Sequence, residues 1–186
     1  TANVGIVGLG SGAFACYRKQ AEKWTYFEID PEVVSVAKDP QYFTYLSKCG
    51  SDMKIVEGDA RLTIQQQPKD IYDFLLIDAF SSDSIPAHLL TAEAVKIYSD
   101  HIKNDGIIVF HLSNRFMDLV PFVISTVDST GLGFENRFIF DNVGSASMAK
   151  TSSVVVVISR DKQTLEVIDR ELGRKIALKP DGTAPW

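Results

Sequence analysis

Asn3-Val4-Gly5-Ile6-Val7-Gly8 is an apolar run of strand type that opens directly onto the turn Gly8-Leu9-Gly10-Ser11-Gly12, and the helical stretch Ala13 to Glu22 follows. The glycines therefore stand between a buried strand and a helix N-terminus. Glycine lets backbone N–H groups come close to a ligand, and a helix N-terminus favours negative or hydrogen-bond-accepting groups there. A glycine turn that only packs a helix on a strand would read the same way. Gly8, Gly10 and Ala13 also satisfy the G-x-G-x-x-A form of the dinucleotide fingerprint, so the turn alone fits either NAD or another adenosine-bearing ligand.

Outward from this turn, short β-rich apolar runs alternate with stretches of helical period, the pattern of strand-helix-strand units and a parallel sheet. The spacing predicts further strands over Trp24 to Ile29, Met53 to Glu57, Ile71 to Asp78 and Ile107 to Leu112. Helices are predicted from Pro31 to Lys38, Arg61 to Gln67, Thr91 to Ile102 and Leu119 to Thr130, with Asp39 to Asp52 helical or irregular and Asn104-Asp105-Gly106 a turn. Phe134 to Phe140 and Ser152 to Ser159 are then two strands with no helical period between them, and Leu165 to Leu172 closes as a helix. A purely alternating fold would place a helix between the last two strands. Their direct succession implies an antiparallel excursion at one edge, as in the methyltransferase-like variant of the Rossmann architecture. The expected fold is thus α/β, a mostly parallel seven-stranded sheet with an antiparallel edge strand and helices on both faces.

The 186 residues fit a single domain spanning 1–186. Hydrophobic residues are 45% and charged residues 23% of the chain, which suits a packed core rather than disorder. With a formal charge of −5 and a pI near 5.2 there is no general basic surface for a phosphate backbone, so nucleic acid is not an expected partner. No run reaches the ~18 apolar residues of a membrane span, and no membrane contact is expected. Cys16 and Cys49 lie outside any CxxC or Cys/His cluster and signal neither a metal site nor a disulfide framework, which makes a reducing, cytoplasmic setting the default. The chain begins at Thr1 without Met and enters a strand within three residues, which reads as a piece excised from a longer polypeptide.

Glu28 falls twenty residues after Gly8 at the end of the second strand, where a carboxylate can accept hydrogen bonds from both hydroxyls of a ribose. Gly58-Asp59-Ala60-Arg61 follows the third strand, so Asp59 can reach an adenine amine or serve as an N-cap. Gly8, Gly10, Gly12, Glu28, Asp59 and Ala60 then form a cofactor-binding set at the carboxyl ends of successive strands, where open α/β sheets bind ligands. Asp78 ends the fourth strand, beside the first, and is the candidate catalytic residue: a carboxylate there could orient or deprotonate an amine. Asp83, His88 and Glu93 are substrate-binding candidates, although Asp83 fits a turn or cap equally well and His88 a surface loop. His111 and Asn114 are weaker candidates on the same rim, and His101 has no evident role.

The segments VGIVGLGSG (Val4 to Gly12), FEIDP (Phe27 to Pro31), EGDAR (Glu57 to Arg61), YDFLLIDAFSSDSIPAHLLTAE (Tyr72 to Glu93) and DGIIVFHLSNR (Asp105 to Arg115) together resemble the catalytic domain of the spermidine synthase family, the polyamine aminopropyltransferases. More closely, the chain resembles spermidine-synthase-like domains fused to multi-helix membrane segments. The resemblance implies S-adenosylmethionine or its decarboxylated form as co-substrate, no metal, and Asp78 at the position of the family's catalytic acid. The chain departs from the family pattern in placing Asp78 and Asp83 five residues apart rather than three. It also lacks a counterpart of the family's N-terminal β-rich segment, and its tail stops at Pro185-Trp186.

These observations lead to a transferase that moves an aminopropyl or methyl group to an amine or other nucleophile, with a small molecule such as a polyamine as partner and pairing of two copies left open. An NAD-dependent oxidoreductase is the second reading, carried by the glycine spacing alone. A non-catalytic nucleoside-sensing domain of a larger protein is the third.

Overall fold

One sheet of seven strands in the order β3-β2-β1-β4-β5-β7-β6 organises the chain, in a computed structural model that describes residues 1–78, 86–114, 117–141 and 153–172. The strands are β1 (Asn3–Val7), β2 (Lys23–Glu28), β3 (Lys54–Glu57), β4 (Tyr72–Ile77), β5 (Ile102–His111), β6 (Glu135–Asp141) and β7 (Ser153–Ser159). The helices are α1 (Pro31–Lys38), α2 (Tyr45–Cys49), α3 (Ala60–Gln65), α4 (Ala92–His101), α5 (Val120–Ser129) and α6 (Lys162–Glu171). β1 to β5 run parallel, and β7 runs antiparallel to both of its neighbours, β5 and β6. This is the antiparallel excursion that the lack of helical period between the last two predicted strands implies, with the reversed strand inserted between β5 and the edge strand β6.

The sheet buries both faces because its strands carry apolar residues in both alternating phases. Val7, Phe27, Leu75 and Ile77 point into the layer covered by α3, α4 and α5, where Ile64, Val95, Tyr98 and Val123 meet them. Val4, Ile6, Tyr26 and Leu76 point the other way, onto Val34 and Ala37 of α1 and Leu46 of α2. Caps set the helix starts: Asp30 accepts the Glu32 N–H at 2.8 Å, with Pro31 in the first turn, and Asp161 accepts from Gln163 and Thr164.

Three expectations are corrected by the structure. The first helix is not Ala13 to Glu22 but one 3-10 turn, Ala13–Tyr17, after which Arg18 is extended and Ala21 takes φ 75°. Tertiary ties override the local helical period here. Cys16 is disulfide-bonded to Cys49 with the Cα atoms 4.9 Å apart, and the Arg18 guanidinium grips Asp52 through two N–H···O contacts of 2.7 and 2.8 Å. The disulfide is the second correction, and it removes the argument for a reducing setting that rested on unpaired cysteines. Thirdly, Asn104-Asp105-Gly106 lies within β5 instead of before it. The register passes from Tyr72↔Ile102 to Phe74↔Ile107, so Lys103 to Gly106 bulge opposite Asp73.

Candidate functional site

β1 and β4 are neighbours, yet the chain leaves them toward opposite edges of the sheet, which opens a crevice beyond their carboxyl ends. The register Val7↔Phe27, Val7↔Ile77 and Ile77↔Phe110 brings the next residues, Gly8, Glu28, Asp78 and His111, onto one rim. Backbone bonds continue the ladder there: Gly8 N–H donates to Phe27 O and Asp78 N–H to Val7 O, both at 2.9 Å. A cavity of about 490 Å³ fills the crevice, and Gly8, Gly10, Glu28, Ala60, Asp78 and His88 all line it.

Glu28 is buried, 8% exposed, and its two oxygens hold the backbone on either side of the cavity. Oε2 accepts the Leu9 N–H at 2.8 Å and Oε1 the Asp30 N–H at 3.0 Å. A carboxylate has about four acceptor positions, so each oxygen keeps one for a further donor. The glycines divide in role. Gly10, at φ 52°, has open space where a side chain would stand, which suits close approach of a ligand. Gly12, at φ 77°, faces protein: a Cβ there would lie 2.8 Å from Leu46, and Gly12 is not among the cavity-lining residues.

Asp59 is the N-cap of α3, with Oδ1 accepting from Arg61 and Leu62 N–H at 2.9 and 3.2 Å. Its other oxygen faces His88 Nε2 at 3.1 Å, so the cap is tied to the cavity wall through His88 while Ala60 supplies the wall itself. Glu93 sits exposed in the first turn of α4 and outside the cavity, where its own backbone amide and the Thr91 hydroxyl hold its carboxyl below the ordinary value. Asp83 lies outside the described residues. His101 is buried in the fold, its ring nitrogens against Ile97 O and Gln67 O.

The feature underweighted in the sequence is His111. Its Nδ1 is 2.6 Å from Asp78 Oδ1, and its Nε2 is 2.8 Å from Ser113 Oγ. The bond to Asp78 pushes the imidazole above its ordinary value against the opposing effect of burial. A signal for this was present. His111 and Ser113 are two apart at the end of a strand, hence on one face, and that strand neighbours the one ending at Asp78.

This strand order with a reversed β7, and a ligand-sized cavity at the switch point, define the Rossmann-like fold of S-adenosylmethionine-dependent methyltransferases. Among proteins of that fold, the chain is similar in sequence to a polyamine aminopropyltransferase and in fold to spermidine synthases. It is 30% identical over 109 residues to the polyamine aminopropyltransferase of Vibrio vulnificus, a match covering 56% of this chain and 35% of that protein. The crystal structure of spermidine synthase from Thermotoga maritima superposes with a TM-score of 0.67 at 17% identity, covering 96% of this chain and 62% of that one. Human methyltransferase-like protein 13, in complex with SAH, gives 0.61 at 16% identity over 96% of this chain and 85% of its own. The chain thus spans about a third of the curated relative's length and less than two thirds of the Thermotoga protein's. No family model matches it. The oxidoreductase reading is not favoured, since the similarities found are to an aminopropyltransferase, spermidine synthases and methyltransferases.

Proposed function

We infer that this domain binds S-adenosylmethionine or its decarboxylated form in the β1/β4 cavity and directs transfer of a methyl or aminopropyl group to an amine or another nucleophile. The observation that carries the reading is that one cavity holds both Glu28 and Asp78: a ribose-type acceptor anchored to the glycine turn, and a second carboxylate at the neighbouring strand end. The volume is within the range of small-molecule sites, roughly 300–1,000 Å³. The similarity to a polyamine aminopropyltransferase makes a polyamine the leading acceptor class.

In this reading Gly8 and Gly10 offer backbone at close range, and Glu28 accepts the ribose hydroxyls. Ile29 and Ala60 give apolar walls for a purine, and His88, held from behind by Asp59, faces its polar edge. Gly12 supports the turn from behind, against Leu46. When bound, the co-substrate supplies a sulfonium, already a good electrophile. The protein's part is alignment and proton removal. The nucleophile's lone pair forms the new bond to the sulfonium-attached carbon, the carbon–sulfur pair leaves with the neutral thioether, and the nucleophile's proton passes to Asp78.

The test incubates the protein with each donor and a panel of amines, detecting S-adenosylhomocysteine or methylthioadenosine by mass spectrometry. Enzyme-dependent thioether formation that falls about 10²- to 10⁴-fold in Asp78→Asn is expected. Binding of both donors without thioether formation from either would replace this reading with the nucleoside-sensing one.

A further inference from the structure

Asp78 does not stand alone at the rim. One of its oxygens is committed to His111 Nδ1 at 2.6 Å, and the imidazole is fixed from its other side by Ser113 Oγ at 2.8 Å. Ser113 is in turn fixed across the sheet, its oxygen accepting the Val154 N–H at 3.0 Å. The three side chains bridge β4, the end of β5 and β7. Asp78 and His111 both remain partly open, with side chains 25% and 33% exposed. Asp78 lines the cavity and His111 does not.

We propose that His111, braced by Ser113, is the positioning residue of this site: it clamps one oxygen of Asp78, leaves the other toward the cavity, and sets the net charge that the cavity presents to a sulfonium. The inference rests on the function proposed above. A separation of 2.6 Å between Nδ1 and Oδ1 requires a proton between them, so the site that gains or loses a proton is Nε2. With Nε2 protonated and donating to Ser113, the Asp78–His111 pair has no net charge. With Nε2 bare, accepting the Ser113 hydroxyl proton, the pair carries a full negative charge beside the cavity. Only that second form both attracts a cation and offers Asp78 as a proton acceptor. Asp78 is the ionisable group whose charge acts on His111 among the described residues; opposite it, β7 presents Val155, and His88 on the rim is engaged with Asp59.

The linkage of carboxylate, imidazole and hydroxyl also has the connectivity of a serine hydrolase triad. Ser113 is poorly placed for that chemistry. Its oxygen is occupied by the Val154 amide and it does not line the cavity, so it serves as a brace.

The test compares the affinities of S-adenosylmethionine and S-adenosylhomocysteine by calorimetry from pH 6 to 9. The two ligands differ by one methyl group and the sulfonium charge, so their affinity ratio isolates that charge. In the parent protein the ratio should rise by roughly tenfold to a hundredfold as pH passes the raised value of His111, as expected for a unit charge ~6–12 Å away at an effective dielectric of about 20. His111→Asn keeps an amide donor for Asp78 but cannot titrate, so its ratio should be flat and high. Ser113→Ala loses a partner that bonds the ring in both forms but the charged form more strongly, so its curve should shift to lower pH, and this variant decides the question if His111→Asn does not fold. Binding of both ligands with a pH-independent ratio in the parent, or a parental curve in His111→Asn, overturns this inference and leaves the proposed function standing. Binding of neither ligand overturns both.

Discussion

Replacing Glu28 by Ala removes two backbone-to-carboxylate hydrogen bonds at once, from Leu9 at 2.8 Å and Asp30 at 3.0 Å. Bonds to a charged acceptor contribute about 1.5–3 kcal/mol each, but water can reach part of an open turn, so a net stability loss of about 2–4 kcal/mol is expected. At roughly 2–4 °C per kcal/mol for a domain of this size, the melting temperature should fall by roughly 5–15 °C. The ligand effect is separate and can be isolated. If Glu28 accepts the ribose hydroxyls, the parent should prefer adenosine over 2′,3′-dideoxyadenosine by about ten- to a hundredfold, the equivalent of about 1.5–3 kcal/mol. The mutant should bind both equally weakly. Calorimetry of the two nucleosides against the two proteins, with thermal denaturation alongside, completes the cycle. A folded Glu28→Ala protein that still discriminates between the nucleosides would refute the ribose assignment and leave Glu28 a purely structural brace of the glycine turn.

Three further outcomes follow from the same geometry. The Cys16–Cys49 bond closes a span of 33 residues, so Cys16→Ser should cost about 3–4 kcal/mol of stability by the loop-entropy estimate; unchanged denaturant midpoints with and without reductant would show the bond to be absent in solution. Because His111 is raised by Asp78, the ionic part of their contact is fully present below the ordinary histidine value of 6.5 and is lost as pH climbs through the raised one. The melting-temperature gap between parent and Asp78→Asn should therefore narrow with rising pH, and a gap that widens would contradict the pairing. Finally, aminopropyl transfer to putrescine should be poor, because Asp83 is five residues from Asp78 in the sequence and, among the described residues, Glu93 lies outside the cavity, away from the far ammonium of a diamine held there. Turnover of about 1 s⁻¹ or more, measured as spermidine by mass spectrometry, would show the amine site to be complete.

The succession of strands and helices was largely legible because most of the buried strands are short apolar runs and Asp30 before Pro31 marks a helix start, whereas the last helix begins at Asp161, ahead of the predicted Leu165. The two late strands carried the reversed β7 without any tertiary information. What local pattern could not show is where distant residues override it. The period from Ala13 to Glu22 is helical, but Cys49 and Asp52 pull Cys16 and Arg18 out of that path, and cysteine spacing alone does not reveal a pairing across 33 residues. The Asn104-Asp105-Gly106 signal for a turn was sound chemistry, realised as a bulge once β5 extended back to Ile102. At the site, strand ends placed Gly8, Glu28 and Asp78 together, whereas the division of labour between Gly10 and Gly12 depends on Leu46 packing behind the turn. The Asp78–His111 contact depends on the β4/β5 register, which sequence leaves free.

If the β1/β4 cavity is an adenosyl-ligand site, titration of the intact protein with S-adenosylhomocysteine and, separately, with NAD will distinguish the two ligands. S-adenosylhomocysteine should bind saturably and one-to-one, weakened about ten- to a hundredfold by Glu28→Ala, with NAD binding far more weakly. Tighter binding of NAD, or affinity for S-adenosylhomocysteine that Glu28→Ala leaves untouched, would contradict that assignment of the cavity.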